Sequence, residues 1–272
     1  MVADTHTPLT PLKADVLDKL RQVSTSTLAT QLYRRGFRQP TLIGLKLLSN
    51  VVDGFVGEAY TMRFIPARED VNTPDPYRSG NTLQWETIEN VPPGHVIVVD
   101  SRGDVSAASG GDMLMTRAMV RGAAGFVTDG GLRDGHVLGD LPFATYAREV
   151  TITTRAASHH VADVQTPISC AGVAVYPGDV LVGDRDGVVV IPRAIAEEIA
   201  DPSLAQEHME AYLGTRIKGG EPLWGIYPPS DETKAQYEAW RAAAADPSGS
   251  LPTSTASDFL QAGTPIPVPE TH

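Results

Sequence analysis

The chain has one cysteine in 272 residues, so no internal disulfide can form and packing alone must hold the fold. Cys170 lies between Ser169 and Ala171 in a strand-like run, where a small buried residue is the ordinary reading, and it is assigned no chemical role. No apolar run reaches the length of a membrane span. The opening Met1-Val2-Ala3-Asp4-Thr5 lacks the charged start and apolar stretch of a signal peptide. A soluble cytoplasmic protein without a membrane partner is expected. Positive charge is also short: 22 Lys and Arg stand against 33 Asp and Glu, a net charge of −11. Such a surface repels phosphate backbones, and with no basic stripe or aromatic-basic interleaving, nucleic acid is excluded as a partner. There is no Walker loop, no dinucleotide Gly-x-Gly-x-x-Gly after a strand and no Gly-x-Ser-x-Gly elbow, which removes support for nucleotide cofactors and serine hydrolase chemistry.

What is present is 42% hydrophobic residues, dealt out in short runs between glycine and proline. Residues 55–65, 95–100, 125–128, 144–146, 173–176 and 188–191 read as strands of a central mixed sheet with helices on it, an α/β fold. Residues 14–35 read as two short helices forming a lid on the core, with Ser24 or Thr25 as a cap and Gly36 as the break. One domain is expected over 14–200. A helical extension over 201–244 follows, tolerating Pro202 and containing the aromatic turn from Leu223 to Pro229; it is expected to pack on another subunit. Residues 245–272, rich in Pro, Ser and Thr, read as a tail or arm.

The most informative stretch is 110–134. A strand at 95–100 leads into Gly110-Gly111-Asp112-Met113-Leu114 and then a helix whose Met115, Ala118 and Met119 recur at helical spacing before Gly122. The strand 125–128 then leads into Asp129-Gly130-Gly131-Leu132-Arg133-Asp134. Both loops leave the carboxyl ends of strands, the edge at which open α/β sheets bind ligands. Gly111 lets a ligand approach the free N–H groups of a helix start, and the Gly111 to Leu114 amides suit a carboxylate or enolate oxygen. Arg133 offers a fork of donors suited to a carboxylate, and Asp112 and Asp134 are hard oxygen ligands suited to Mg²⁺ or Mn²⁺. Generic spacing equally permits a turn glycine, a helix-dipole aspartate and a solvated Arg-Asp pair. His136 stands between an acid/base group and a plain loop residue. His159-His160, read as adjacent on a helix and about 100° apart, points to a surface or interface role. Asp184, Arg185 and Asp186 read as a structural turn.

Several separate segments jointly resemble the regulator of ribonuclease activity A (RraA-like) family, which includes the class II 4-hydroxy-4-methyl-2-oxoglutarate/4-carboxy-4-hydroxy-2-oxoadipate aldolases. They are Ser24-Thr25-Ser26-Thr27-Leu28, Phe55-Val56-Gly57-Glu58-Ala59, the Gly111 and Arg133-Asp134 loops, Pro177-Gly178-Asp179-Val180, and the run from Gly183 to Pro192. The resemblance covers about residues 16–220. It implies an RraA-like β/β/α swivelling-type domain with a central mixed sheet, N-terminal helices and a C-terminal helical extension. It further implies that Gly111, Asp112, Met113, Leu114 and Arg133 bind substrate, that Asp134 holds the metal, and that Asp112 contacts a metal-linked water. The sequence departs from the family pattern at Val137, which stands where Arg-Asp-x-x-Glu/Asp has its last acid; Asp140 is the nearest later carboxylate. Glu207 and Glu210 are the two positions for a glutamate that the aldolases take from a neighbouring subunit, and neither is assigned. Residues 72–89 exceed the family's loop and are expected to form part of a pocket wall.

The function implied is a divalent-metal-dependent lyase, aldolase and/or oxaloacetate decarboxylase, that cleaves a C–C bond of a 4-hydroxy-2-oxo acid through a metal-stabilised pyruvate enolate. Arg133 and Asp112 are its catalytic residues, and the assembly is a homotrimer or a hexamer made of two. The alternatives are a non-enzymatic regulator of a ribonuclease, whose acidic surface would dock on an arginine-rich segment, and a lyase acting on a sugar-derived 2-oxo acid.

Overall fold

The two N-terminal helices of the computed structural model, which describes residues 10–51, 54–72 and 82–244, form where apolar periodicity places them. Helix α1 (Ala14–Arg21) buries Val16 and Leu20, and α2 (Thr25–Arg34) buries Leu28 and Leu32. Ser24 is the cap of α2: its side chain accepts from the Thr27 amide at 3.2 Å, a contact worth about 1 kcal/mol. Thr25 instead bonds Asp184 through both its amide and its hydroxyl, at 2.8 Å each. Asp184 Oδ1 also accepts from the Asp186 and Gly187 amides, which makes the 184–187 segment the structural turn its composition suggested.

Among the described residues, eight strands form one mixed, curled sheet. Its order is β1 (Lys46–Leu47), β6 (Ala144–Ala147), β4 (Gly125–Thr128), β3 (His95–Asp100), β2 (Phe55–Pro66), β11 (Val180–Gly183) and β12 (Val188–Ile191), with β8 (His159–Val164) also on β2. Strands β2, β3, β4 and β6 run parallel, as do β5 (Gly131–Leu132) and β7 (Glu149–Val150) in a separate pair. The long β2 pairs first with β11 and then with β8, and a register shift between Arg63 and Phe64 marks the second pairing.

Strand β3 is an unbroken apolar run because both of its faces are covered. Val96 and Val98 face one core with Val127 and Tyr146, closed by the hairpin of β9 (Ile168–Cys170) and β10 (Val173–Val175). Ile97 and Val99 face the other core with Phe126, Ile88 of α3 (Leu83–Asn90), and Met115 and Ala118 of α4 (Asp112–Val120). A third core joins α1 and α2 to Val180, Val189 and Ile191. Cys170 is fully buried in the first core, where desolvation raises its thiol pKa well above the ordinary range.

Three expectations are corrected. Residues 173–176 do not join the central sheet: Val173–Val175 pair with Ile168–Cys170 in a separate two-stranded hairpin, because short β-branched runs say nothing about which partner they take. His159 and His160 lie on strand β8, not on a helix, so alternation sends them to opposite sides: His159 is fully buried, and His160 meets Asn72 at 2.8 Å. The segment after Asn72 is not all loop, since Thr82 caps the helix α3 by accepting from the Trp85 amide at 3.3 Å. Residues 73–81 of that expected wall, and the expected tail at 245–272, lie outside the described residues.

Backbone contacts divide the chain into Met1–Leu204 and Ala205–His272. The described part of the second unit holds the end of α5 (Ala196–Lys218), which contains Pro202, and α6 (Asp231–Ala244). Within it Tyr212 packs on Tyr237 and Trp240, with ring centroids 5.5 and 5.2 Å apart. Glu210 accepts from Gln206 at 2.7 Å along the helix. No described helix is long and apolar enough to cross a membrane.

Candidate active site at the carboxyl ends of the parallel strands

The loops that follow β3 and β4 are laced into one structure. The Ser109 amide donates to the Gly131 carbonyl at 2.7 Å, and the Arg133 amide to the Gly110 carbonyl at 3.0 Å. Beneath them Ser101, Ser109 and Thr128 form a buried triangle of hydroxyls, with oxygens 2.6 to 3.0 Å apart. Gly130 must be glycine here, since a Cβ would lie 2.6 Å from Ser101 Cβ and 2.7 Å from Ser109 Oγ. Asp129, also buried, accepts from the amides of Ser101, Gly103 and Ala171 at 2.7, 3.0 and 3.2 Å. Desolvation outweighs these bonds and raises its carboxyl pKa.

His159 supports the same loop from below. Its Nδ1 lies 3.2 Å from Arg102 Nη2, and its Nε2 lies 3.1 Å from the Ala107 carbonyl oxygen. Arginine only donates, so Nδ1 accepts and the single ring proton sits on Nε2. Burial lowers its pKa below the ordinary 6.5. An unfolded chain therefore takes up a proton that the folded site refuses. The contribution of His159 is fully present above about pH 6.5 and is lost as pH falls from there through the folded value. Denaturant midpoints should drop between pH 7.5 and 5.5, and the drop should be smaller in His159→Gln.

All six predicted site residues line one cleft. Gly111, Asp112, Met113, Leu114, Arg133 and Asp134 surround a volume of about 180 Å³, together with Gln84, Ala108, Gly110, Thr154 and Arg155. Asp112 is the first residue of α4, and its Oδ1 accepts from the Met113 amide at 2.7 Å. The Leu114 amide donates to the Gly111 carbonyl at 3.1 Å. Of the four amides expected to hold a ligand, those of Gly111 and Asp112 remain without a partner among the described residues. The Arg133 guanidinium and the Asp134 carboxylate, both half-buried, likewise bond no described residue. His136 is exposed, and neither it nor Val137 nor Asp140 lines the cleft.

Asp134 is held in an unusual backbone state, φ 61° and ψ 37°, the left-handed region that costs a residue with a Cβ about 1 kcal/mol or more. That conformation sets its carboxylate against Gly111, where an added Cβ would lie 2.7 Å from Asp134 Oδ2 and 3.4 Å from Arg133 Cβ. The extended backbone of Gly111, φ −153°, suits any residue, so the need for glycine is one of space. Gly111→Ala should displace the carboxylate, lowering ligand affinity by about tenfold or more, while the thermal midpoint stays close to wild type.

The donor set decides which metal fits. Among the described residues no group of three or more His, Cys, Asp and Glu side chains could hold a metal ion. Zinc, which takes a closed shell of nitrogen and sulfur, does not fit. Mg²⁺ and Mn²⁺ do: they retain waters and take one or two carboxylates with the remaining oxygens supplied by a ligand. Asp134, whose carboxylate bonds no described residue, is the residue that would hold such an ion.

Gln84 lies in the 72–89 segment expected to form part of a pocket wall but was not singled out, and Thr154 and Arg155 were missed as cleft residues. No motif marks them: Gln84 enters from α3, and Arg155 from a short turn, with its Nη1 donating to the His159 carbonyl at 2.7 Å. The Thr82 cap was the one signal that a helix, and so a fixed side chain, begins there.

Comparison with known proteins points to one family. The profile of the RraA-like family, described as Aldolase/RraA, matches residues 14–190. A Halalkalibacterium halodurans protein, named provisionally as a 4-hydroxy-4-methyl-2-oxoglutarate aldolase, is 35% identical over 158 residues, 56% of this chain and 74% of that protein. A Thermus thermophilus protein carrying the same aldolase name is 32% identical over 112 residues, 41% of this chain and 68% of its own. Among solved structures, Streptomyces coelicolor RraAS2, described as an unusual member of the RNase ES inhibitor RraA protein family, superposes with a TM-score of 0.67 at 30% identity. That alignment covers 75% of this chain and 98% of RraAS2.

Proposed function

Because the chain belongs to the RraA-like family, Aldolase/RraA, we propose that it is a divalent-metal-dependent lyase that cleaves 4-hydroxy-2-oxo acids to pyruvate and a carbonyl compound. The observation that carries this reading is the convergence on one cleft of a guanidinium, a carboxylate and two amides that have no partner among the described residues. A cleft needed only for packing would leave these groups paired with one another.

Asp134 would hold the cation, Mg²⁺ or Mn²⁺, which would supply Lewis acidity for the cleavage. Arg133 binds the C1 carboxylate and stays beside the C2 oxygen, where negative charge collects as the C3–C4 bond breaks. The Gly111 and Asp112 amides take a further carboxylate oxygen at the start of α4. Asp112 Oδ2, the oxygen not engaged by the Met113 amide, accepts the C4 hydroxyl proton and returns it to C3. Oxaloacetate, whose decarboxylation places the same electron pair on the same oxygen, is a second substrate. Glu207 or Glu210 of a neighbouring copy completes the site in a trimer or a hexamer made of two.

Val137, in place of an acid, favours the rival reading of a ribonuclease regulator, which has no need of a metal. Calorimetric titration with Mn²⁺ separates the two. The lyase predicts one binding event per chain that Asp134→Gly removes, whereas a chain that binds neither Mn²⁺ nor Mg²⁺ favours the regulator.

A further inference from the structure

Gln84 is the most deeply buried polar side chain in the cleft, 2% exposed, on the second residue of α3. Its amide orientation is settled by chemistry. The amide nitrogen lies 2.7 Å from the Ser109 carbonyl oxygen, which can only accept, so that position must be the NH₂ group. The side-chain carbonyl Oε1 is thereby turned away from Ser109, and it accepts no hydrogen bond from any described residue. An acceptor on the cleft wall that no described residue engages is open to a ligand that brings a donor, a contact worth about 0.5–1.5 kcal/mol.

The donor cannot be a carboxylate, which only accepts. Nor is it the C4 hydroxyl, because that group must hand its proton to a base as C4 becomes a carbonyl, and an amide oxygen is far too weak a base to take it. A hydroxyl that keeps its proton throughout fits. Thr154, whose side chain makes no capping bond, adds a second neutral hydrogen-bonding group to the same cleft. We infer that Gln84 is a specificity residue whose Oε1 accepts from a hydroxyl on the departing half of the substrate, so that the preferred substrates are polyhydroxylated 2-oxo acids. This rests on the lyase reading above and narrows its substrate class.

The test compares 4,5-dihydroxy-2-oxopentanoate, cleaved to pyruvate and glycolaldehyde, with 4-hydroxy-2-oxopentanoate, cleaved to pyruvate and acetaldehyde. Wild type should favour the dihydroxy acid in kcat/KM by about tenfold. Gln84→Met removes the acceptor and should bring that preference close to one. Gln84→Glu also loses the strut to Ser109 but keeps an acceptor oxygen, so it should retain the preference even if both rates fall. Incomplete folding scales both substrates alike and cancels in the ratio. A wild-type ratio near one, or a preference unchanged in Gln84→Met, overturns the inference and leaves the lyase standing. No pyruvate from either substrate in wild type overturns the lyase reading itself.

Discussion

Asp134→Gly lowers lyase turnover by about a thousandfold or more and leaves the fold as stable as wild type. The first half follows from the loss of the carboxylate proposed to hold the cation, whose Lewis acidity would be worth several kcal/mol at the transition state. The second follows from the backbone. At φ 61° the Asp134 Cβ crowds the following carbonyl, and glycine relieves about 1–2 kcal/mol of that strain while surrendering about 0.5–1 kcal/mol in chain entropy. The carboxylate itself bonds no described residue, so its removal breaks no folded-state contact. A residue in a conformation that glycine would tolerate better, with no partner for its side chain among the described residues, points to a binding role for that side chain. Circular dichroism melts beside steady-state rates check both halves. A variant that loses turnover and stability together would make Asp134 a structural residue.

Arg133→Ala should lower kcat/KM for any 2-oxo acid by roughly ten- to a hundredfold or more, the equivalent of about 1.5–3 kcal/mol for one charge-assisted contact. The guanidinium is half-buried in the cleft without an ion pair among the described residues, so its loss should leave the melting temperature unchanged. Arg133→Lys should recover little, because a point charge cannot reproduce two parallel N–H bonds to a planar carboxylate. If Arg133 also neutralises charge at the C2 oxygen, kcat falls along with affinity; a change in KM alone would confine it to binding. A fully active Arg133→Ala enzyme would remove it from the site.

The central sheet and the cleft were legible in the sequence for a shared reason. The run from His95 to Asp100 is apolar on both faces, the α4 pattern of Met115 and Ala118 has the helical period, and glycines punctuate each join. The order strand, loop, helix, strand, loop then fixes which loop ends share an edge. Short elements escaped because their state depends on distant partners: β8 is a strand through its pairing with β2, and the β9–β10 hairpin leaves the central sheet to cover its face. His159 was misplaced with β8, which hid its place beneath the Ala107 carbonyl. Gln84 was not singled out within the expected wall because its placement comes from a carbonyl 25 residues away in the chain, a distance over which no local pattern speaks. The amides at α4 were overcounted because sequence cannot show that Asp112 turns its own carboxylate onto Met113.

Pyruvate release tests the central claim most directly. Wild type and Asp134→Gly are given 4-hydroxy-2-oxo acids and oxaloacetate, each with Mg²⁺ and again with EDTA. The account predicts release by wild type with Mg²⁺, none above background with EDTA, and none from the variant under either condition. Release that persists in EDTA or in Asp134→Gly would contradict the metal site, and no release from any substrate would contradict the lyase.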